Sequence, residues 1–148
     1  KFGIIHGYVN LGGDLRAIGP QPDGSPWQIG IVNPREEGAL VATLPLSLGG
    51  LATSGDYERF FEIDGRRYCH VLNPRTGWPV DRWRSISVVA PVCLAAGAVS
   101  TIAMLKEAEG LQFLNRSPHR WLAVDADGTL HHDKASIRLP EGVNDGRT

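Results

Sequence analysis

His70 lies two residues before the end of a predicted strand, residues 67–72, and that strand empties into the rigid loop Asn73-Pro74-Arg75-Thr76-Gly77-Trp78-Pro79. An imidazole so placed can act as a general base or steer a phosphate, with Asn73, Arg75 and Thr76 as polar neighbours. A lone strand histidine is nevertheless more often structural than catalytic. Two further clusters offer chemistry. Thr53-Ser54-Gly55-Asp56-Tyr57-Glu58-Arg59 brings hydroxyls and a carboxylate to the mouth of a strand, and reads equally well as a turn with surface charges. Asn10-Leu11-Gly12-Gly13-Asp14 sets an acid beside flat backbone where a ligand could approach, or else forms a β-bulge with a solvated Asp14. His131 and His132 are adjacent on a predicted strand, so they point to opposite faces and cannot easily share a metal. No phosphate loop and no Cys/His zinc pattern is present.

The elements that must hold these residues follow from pattern. Aromatic and β-branched runs at 60–63 and 67–72 flank Asp64-Gly65, the strongest short hairpin signal. Strands are expected at 8–11, 15–19 and 27–32, the last as the return strand of a hairpin across the Pro-rich loop 20–26. Further strands are expected at 39–46, set at an edge by Pro45, and at 51–54 and 84–90. Residues 91–106 form the best helix, with Leu94, Ala98, Thr101, Ile102 and Leu105 on one apolar-to-small face. A second short helix at 107–113 is interrupted near Gly110. A terminal hairpin joins 121–124 to 129–132, and 141–148 reads as a disordered polar tail. Strands, a helical pair, then strands make an α+β fold: an antiparallel sheet with helices packed on one face.

Bulk composition narrows the function. A chain of 148 residues suits one domain, and 42% hydrophobic with 21% charged residues is an ordinary globular balance. A net charge of -1 gives no support for a nucleic-acid partner. No apolar run reaches the roughly 18 residues that a membrane span needs. Two cysteines, Cys69 and Cys93, make no disulfide framework and are expected to be buried small hydrophobes. The chain starts KFGIIHGYVN without a Met or a polar lead-in, which reads as a fragment, a processed product or one part of a split protein.

Taken together, VNLGGDLRAIG, SPWQIGIVNP, LATSGDYERFFEIDGRRYCHVLNPRTGWPV, SISVVAP and LAAGAVSTIAML resemble the FAD:protein FMN transferase family, also called the ApbE family. The segments run in the family's order from Tyr8 to about Leu114. The resemblance implies tandem T-fold-like α+β units, with residues 1–140 as the C-terminal part and the N-terminal half absent. Family members use Mg²⁺ to cleave FAD, pass FMN to a Thr or Ser of a target protein and release AMP. His70 then resembles the active-site histidine that accepts a proton from the attacking hydroxyl. Gly12, Gly13, Asp14, Ser54, Gly55 and Asn73 would line the flavin-nucleotide cleft, and Thr101 matches the metal-ligating threonine.

One departure bears on the metal. The family carries an Asp four residues before that threonine, and here the position is Gly97. A hard cation depends on carboxylate and phosphate oxygens, so Mg²⁺ binding should be weakened or lost. Two readings stay open: a flavin transferase, and a non-catalytic flavin-binding homologue or scaffold. The implied partners are a target protein with an acceptor Thr or Ser, the missing N-terminal half and a second copy of the chain. The resemblance points to a periplasmic or membrane-anchored setting, with the cytoplasm left open.

Overall fold

The structure is a computed structural model, and it describes residues 3–133 and 137–140. The predicted tail at 141–148 lies outside the described residues. A six-stranded sheet, entirely antiparallel, forms the centre in the order β1-β2-β5-β8-β9-β10. Its strands are β1 (Gly7–Leu11), β2 (Asp14–Gly19), β5 (Gly49–Gly55), β8 (Trp83–Ala90), β9 (Arg120–Asp125) and β10 (Leu130–His132). Strands β3 (Trp27–Val32) and β4 (Leu40–Leu46) form a separate two-stranded ribbon, as do β6 (Phe60–Ile63) and β7 (Arg66–Cys69). Helices α1 (Cys93–Leu105) and α2 (Gly110–Arg116) are linked by a 3-10 turn at Glu107–Glu109.

Alternation along the strands builds two cores. Ala52, Ile86, Val88, Ala90, Trp121 and Ala123 pack under the helices with Ala96, Ala103, Met104 and Leu114. Their sequence neighbours Leu51, Leu122 and Val124, with Leu15, Ala17 and Leu130, pack against Ile31, Val41, Ala42, Leu44 and Leu46 of the β3–β4 ribbon. Period-two side-chain direction produces this division. The sheet is therefore covered on both faces, by helices on one and by a β-ribbon on the other.

Three expectations are corrected. β3 pairs with β4, from Trp27↔Leu46 to Val32↔Leu40, and not with the strand before the Pro-rich loop. That loop carries the chain from the central sheet to the outer layer, and Trp27 Nε1 donates back to the Gly19 carbonyl at 2.8 Å. The two glycines after Leu11 form a two-residue turn, since Leu11 pairs with Asp14, and Gly12 and Gly13 have φ of 60° and 97°. Positive φ at both central positions is what a tight hairpin requires.

The third correction concerns α1. Its buried residues are Ala96, Ser100, Ala103 and Met104, whereas Leu94 is 85% and Ile102 42% exposed. The helix starts close on β5: a Cβ at Gly50 would stand 2.4 Å from the Cys93 amide nitrogen. Only small side chains fit between such closely spaced backbones, so most of the branched ones point outward. Of the cysteines, Cys69 is buried as expected, but Cys93 is half-buried at this helix start. Among the described residues no helix is long and apolar enough to cross a membrane.

Candidate functional site

β5 and α1 bring two of the predicted site residues together. Ser54 stands next to the end of β5 on the helical side, its Oγ 2.8 Å from Ser100 Oγ and 3.0 Å from Thr101 Oγ1. Ser100 donates its one proton to the Gly97 carbonyl at 3.0 Å. A hydroxyl has a single proton, so Ser54 must donate to Ser100 and accept from Thr101. The chain of hydroxyls thus runs Thr101, Ser54, Ser100, and Thr101 Oγ1 keeps lone pairs on the exposed side of the helix. Ser100 was not singled out from sequence, although two adjacent hydroxyl residues on one helix were a usable signal.

Gly97 lies one turn before Thr101. A Cβ there would meet only the Ala52 Cβ, at 3.8 Å, which is ordinary van der Waals contact. Nothing steric demands glycine. Among the described residues no group of three or more His, Cys, Asp or Glu side chains could hold a metal ion. Hydroxyls without a carboxylate do not suit a hard dication, so the Ser54, Ser100 and Thr101 hydroxyls do not by themselves fit Mg²⁺.

His70 follows the last residue of β7 and is exposed, so the strand ends sooner than its pattern suggests. Its backbone N–H and its ring Nδ1 both reach the Arg59 carbonyl, at 3.1 and 3.2 Å. A carbonyl only accepts, so Nδ1 carries the proton, and in the neutral ring Nε2 keeps a free lone pair. This is the tautomer a general base needs.

The loop after His70 is pinned at several points. The Asn73 amide donates to the Trp78 carbonyl and the Gly77 amide to the Asn73 carbonyl, both at 2.8 Å, and Asn73 Oδ1 accepts from the Arg75 amide at 2.9 Å. Asn73 Nδ2 donates to Glu107 Oε2 at 2.9 Å. Glu107 sits just past α1 with φ of 46°, and its carbonyl accepts from Trp83 Nε1 at 2.8 Å. Asn73 therefore ties the loop to the helical layer, along a groove of about 300 Å³ that Ile102 and Leu105 also line. Thirty-four positions separate Asn73 from Glu107, and no local pattern links them.

Gly55 closes β5. A Cβ there would stand 2.5 Å from the Tyr57 ring, so glycine lets that ring fold over the strand end. Burial, and then the charges of Glu58 and Asp56, raise the Tyr57 hydroxyl above its ordinary value. Asp56, read from sequence as possible surface charge, is 4% exposed. It accepts from Arg35 at 2.9 and 2.5 Å and from Arg84 at 3.2 Å.

The Gly12–Gly13 turn and the exposed Asp14 lie at the sheet end where Ser54 stands, because Leu15 pairs with Leu51 in antiparallel register. Asn10 Oδ1 accepts from the Gly13 amide at 3.0 Å and holds the turn. His131 is engaged apart from these groups, with Nε2 2.8 Å from Asp125 Oδ2. Burial pushes the Cys69 thiol up, and it donates to the Val80 carbonyl at 3.3 Å, the contact of a packed side chain.

Comparison with known proteins agrees with these segments. The ApbE family profile matches residues 1–124. An FAD:protein FMN transferase of Haemophilus influenzae is 38% identical over 113 residues, covering 74% of this chain and 33% of that protein. One from Vibrio cholerae is 32% identical over 142 residues, covering 92% of this chain and 42% of that protein. The crystal structure of the ApbE protein from Thermotoga maritima superposes with a TM-score of 0.80 at 34% identity, over 86% of this chain and 42% of that one. The flavin transferase ApbE from Vibrio cholerae gives 0.73 at 30% identity. The chain thus spans about a third to two fifths of the length of these relatives. With its fold, its motifs and the profile in agreement over most of its length, the chain belongs to the ApbE family.

Proposed function

We propose that this chain acts in FAD:protein FMN transfer, contributing one wall of a flavin-nucleotide site. The observation that carries the reading is the free Nε2 of His70, held by the Nδ1–H bond to Arg59. In the proposed step an acceptor Thr or Ser oxygen attacks the FMN phosphorus of FAD. The bond from that phosphorus to the bridging oxygen breaks, AMP leaves with the bridging oxygen, and the acceptor's proton passes to His70 Nε2. Positioning dominates such phosphoryl transfers. Asn73 fixes the loop beside His70, while Ser54, Thr101 and the Gly12-Gly13-Asp14 turn line the cleft with Gly55 at the strand end. The T-fold-like tandem arrangement, residues 1–140 as a C-terminal portion, an additional family segment or second copy completing the cleft, and a periplasmic or membrane-anchored setting belong to the same reading.

The test is AMP release. FAD is incubated with the chain and an acceptor peptide, with and without millimolar Mg²⁺. Transfer predicts AMP formed in proportion to modified peptide, and its loss in His70→Ala. Gly97 favours a second reading, a flavin-binding homologue without catalysis. Saturable FAD binding with no AMP release under any of these conditions supports that reading and removes the first.

A further inference from the structure

Away from His70, Ser54 and Thr101, a cleft of about 590 Å³ opens beside the tip of the β6–β7 hairpin. Five guanidinium groups line it: Arg35 before β4, Arg66 and Arg67 on β7, and Arg82 and Arg84 at the start of β8. Asp56, buried behind Arg35 and Arg84, partners those two, and Arg84 also donates to the Ala126 carbonyl at 2.9 Å. They are fixed in direction by these bonds. Arg66 and Arg67 face Asp81 and Glu62, each at 3.3 Å. The Arg66–Asp81 pair is solvent-exposed and holds its partners weakly, whereas Arg67 is half-buried and also stacks over the Phe60 ring at 3.8 Å. Arg82 has the Trp83 ring 5.8 Å away and no carboxylate partner among the described residues.

Five positive charges thus meet three carboxylates, in a chain whose formal charge is -1. The excess is local and is not a consequence of bulk composition. Planar guanidinium forks arriving from different elements match the several oxygens of a phosphate better than a single carboxylate. The volume also lies within the range of small-ligand sites.

We propose that this cleft binds a small phosphate-bearing anion. Inorganic pyrophosphate and a nucleoside monophosphate share the chemistry it recognises. The rigid Arg35–Asp56–Arg84 group forms its floor, and Arg66, Arg67 and Arg82 close on the ligand. The site is independent of the flavin reading, because none of the residues assigned to that reading lines it.

The test is titration calorimetry of the 148-residue chain at low ionic strength, with pyrophosphate and AMP as separate ligands. Saturable binding of either supports the site, and the ligand preferred identifies the source. Arg66 and Arg82 are exposed, so Arg66→Ala and Arg82→Ala leave the fold intact, which the thermal midpoint checks. Each is expected to weaken binding about tenfold, the size of one lost charge-assisted hydrogen bond, while His70→Ala leaves it unchanged. Absence of saturable heat with both ligands overturns the proposal. So does affinity that survives the Arg66→Ala/Arg82→Ala double variant, or that disappears in His70→Ala.

Discussion

The His70 imidazole is made directional by one backbone carbonyl. The Arg59 oxygen takes the Nδ1 proton and turns Nε2 into the available acceptor. Replacing His70 by Gln preserves polarity but removes the imidazole base, so AMP release is expected to fall by about 10²–10⁴-fold with FAD binding little changed. Steady-state rates beside equilibrium FAD titration separate the two effects. At position 97 the space found around glycine makes Gly97→Asp sterically mild. Millimolar Mg²⁺ is expected to raise the thermal midpoint of that variant and to leave the natural chain unaffected. An equal response in both would show that the acid at this position is irrelevant to metal binding.

Asp125 gives a pH prediction at the same scale. Burial alone would raise its carboxyl, but the His131 hydrogen bond and the amides of Thr129 and Asp127 outweigh it and leave it below the ordinary value of 3.8. A carboxyl depressed by folding stabilises the protein above its unfolded value, and that contribution is lost as pH falls through the lower folded value. His131→Ala should therefore lower stability above about pH 4, where that contribution is present, and flatten the acid limb, so that variant and natural chain converge as pH falls further. Urea midpoints across that range measure it.

At the scale of elements, the α1–β5 contact governs the site, because it brings Ser54 to Thr101. Its closeness depends on Gly50. A methyl there would collide with the backbone of Cys93 at 2.4 Å, which neither element can relieve by rotating a side chain. Gly50→Ala should cost about 1–3 kcal/mol, as overpacking does, and should part the two hydroxyls. Denaturant unfolding gives the first quantity, and loss of FAD affinity at retained fold reports the second.

Much of this level was legible in the sequence. Asp64-Gly65 marked the β6–β7 hairpin, and the alternation of residues 84–90 marked β8. The apolar repeat of α1 gave the helix but not its inward face. Close packing of two backbones favours small residues, and a pattern that weighs hydrophobicity alone points the helix the wrong way. The partner of β3 was also hidden, since the Pro-rich loop looks the same whether it turns within a sheet or crosses between layers.

For the whole molecule, Asp56 is a junction. It joins Arg35, from the β3–β4 layer, to Arg84 on the central sheet, with its own amide bonded to the Arg84 carbonyl at 2.9 Å. Asp56→Asn removes the charge while keeping the shape, and is expected to destabilise by about 2 kcal/mol because two partly exposed guanidinium groups lose their counter-charge and one of its two acceptor oxygens. Chemical denaturation checks this. Such long-range pairings, like Asn73 with Glu107, are absent from any local pattern. His70 and its loop were visible because their chemistry is contiguous in the chain.

The transfer reading turns on a single product. Mass spectrometry of an acceptor peptide after incubation with FAD, Mg²⁺ and this chain is predicted to show the addition of one FMN on a Thr or Ser, and no addition with His70→Ala. An unmodified peptide in the presence of FAD-saturated chain, or equal modification by His70→Ala, would contradict it.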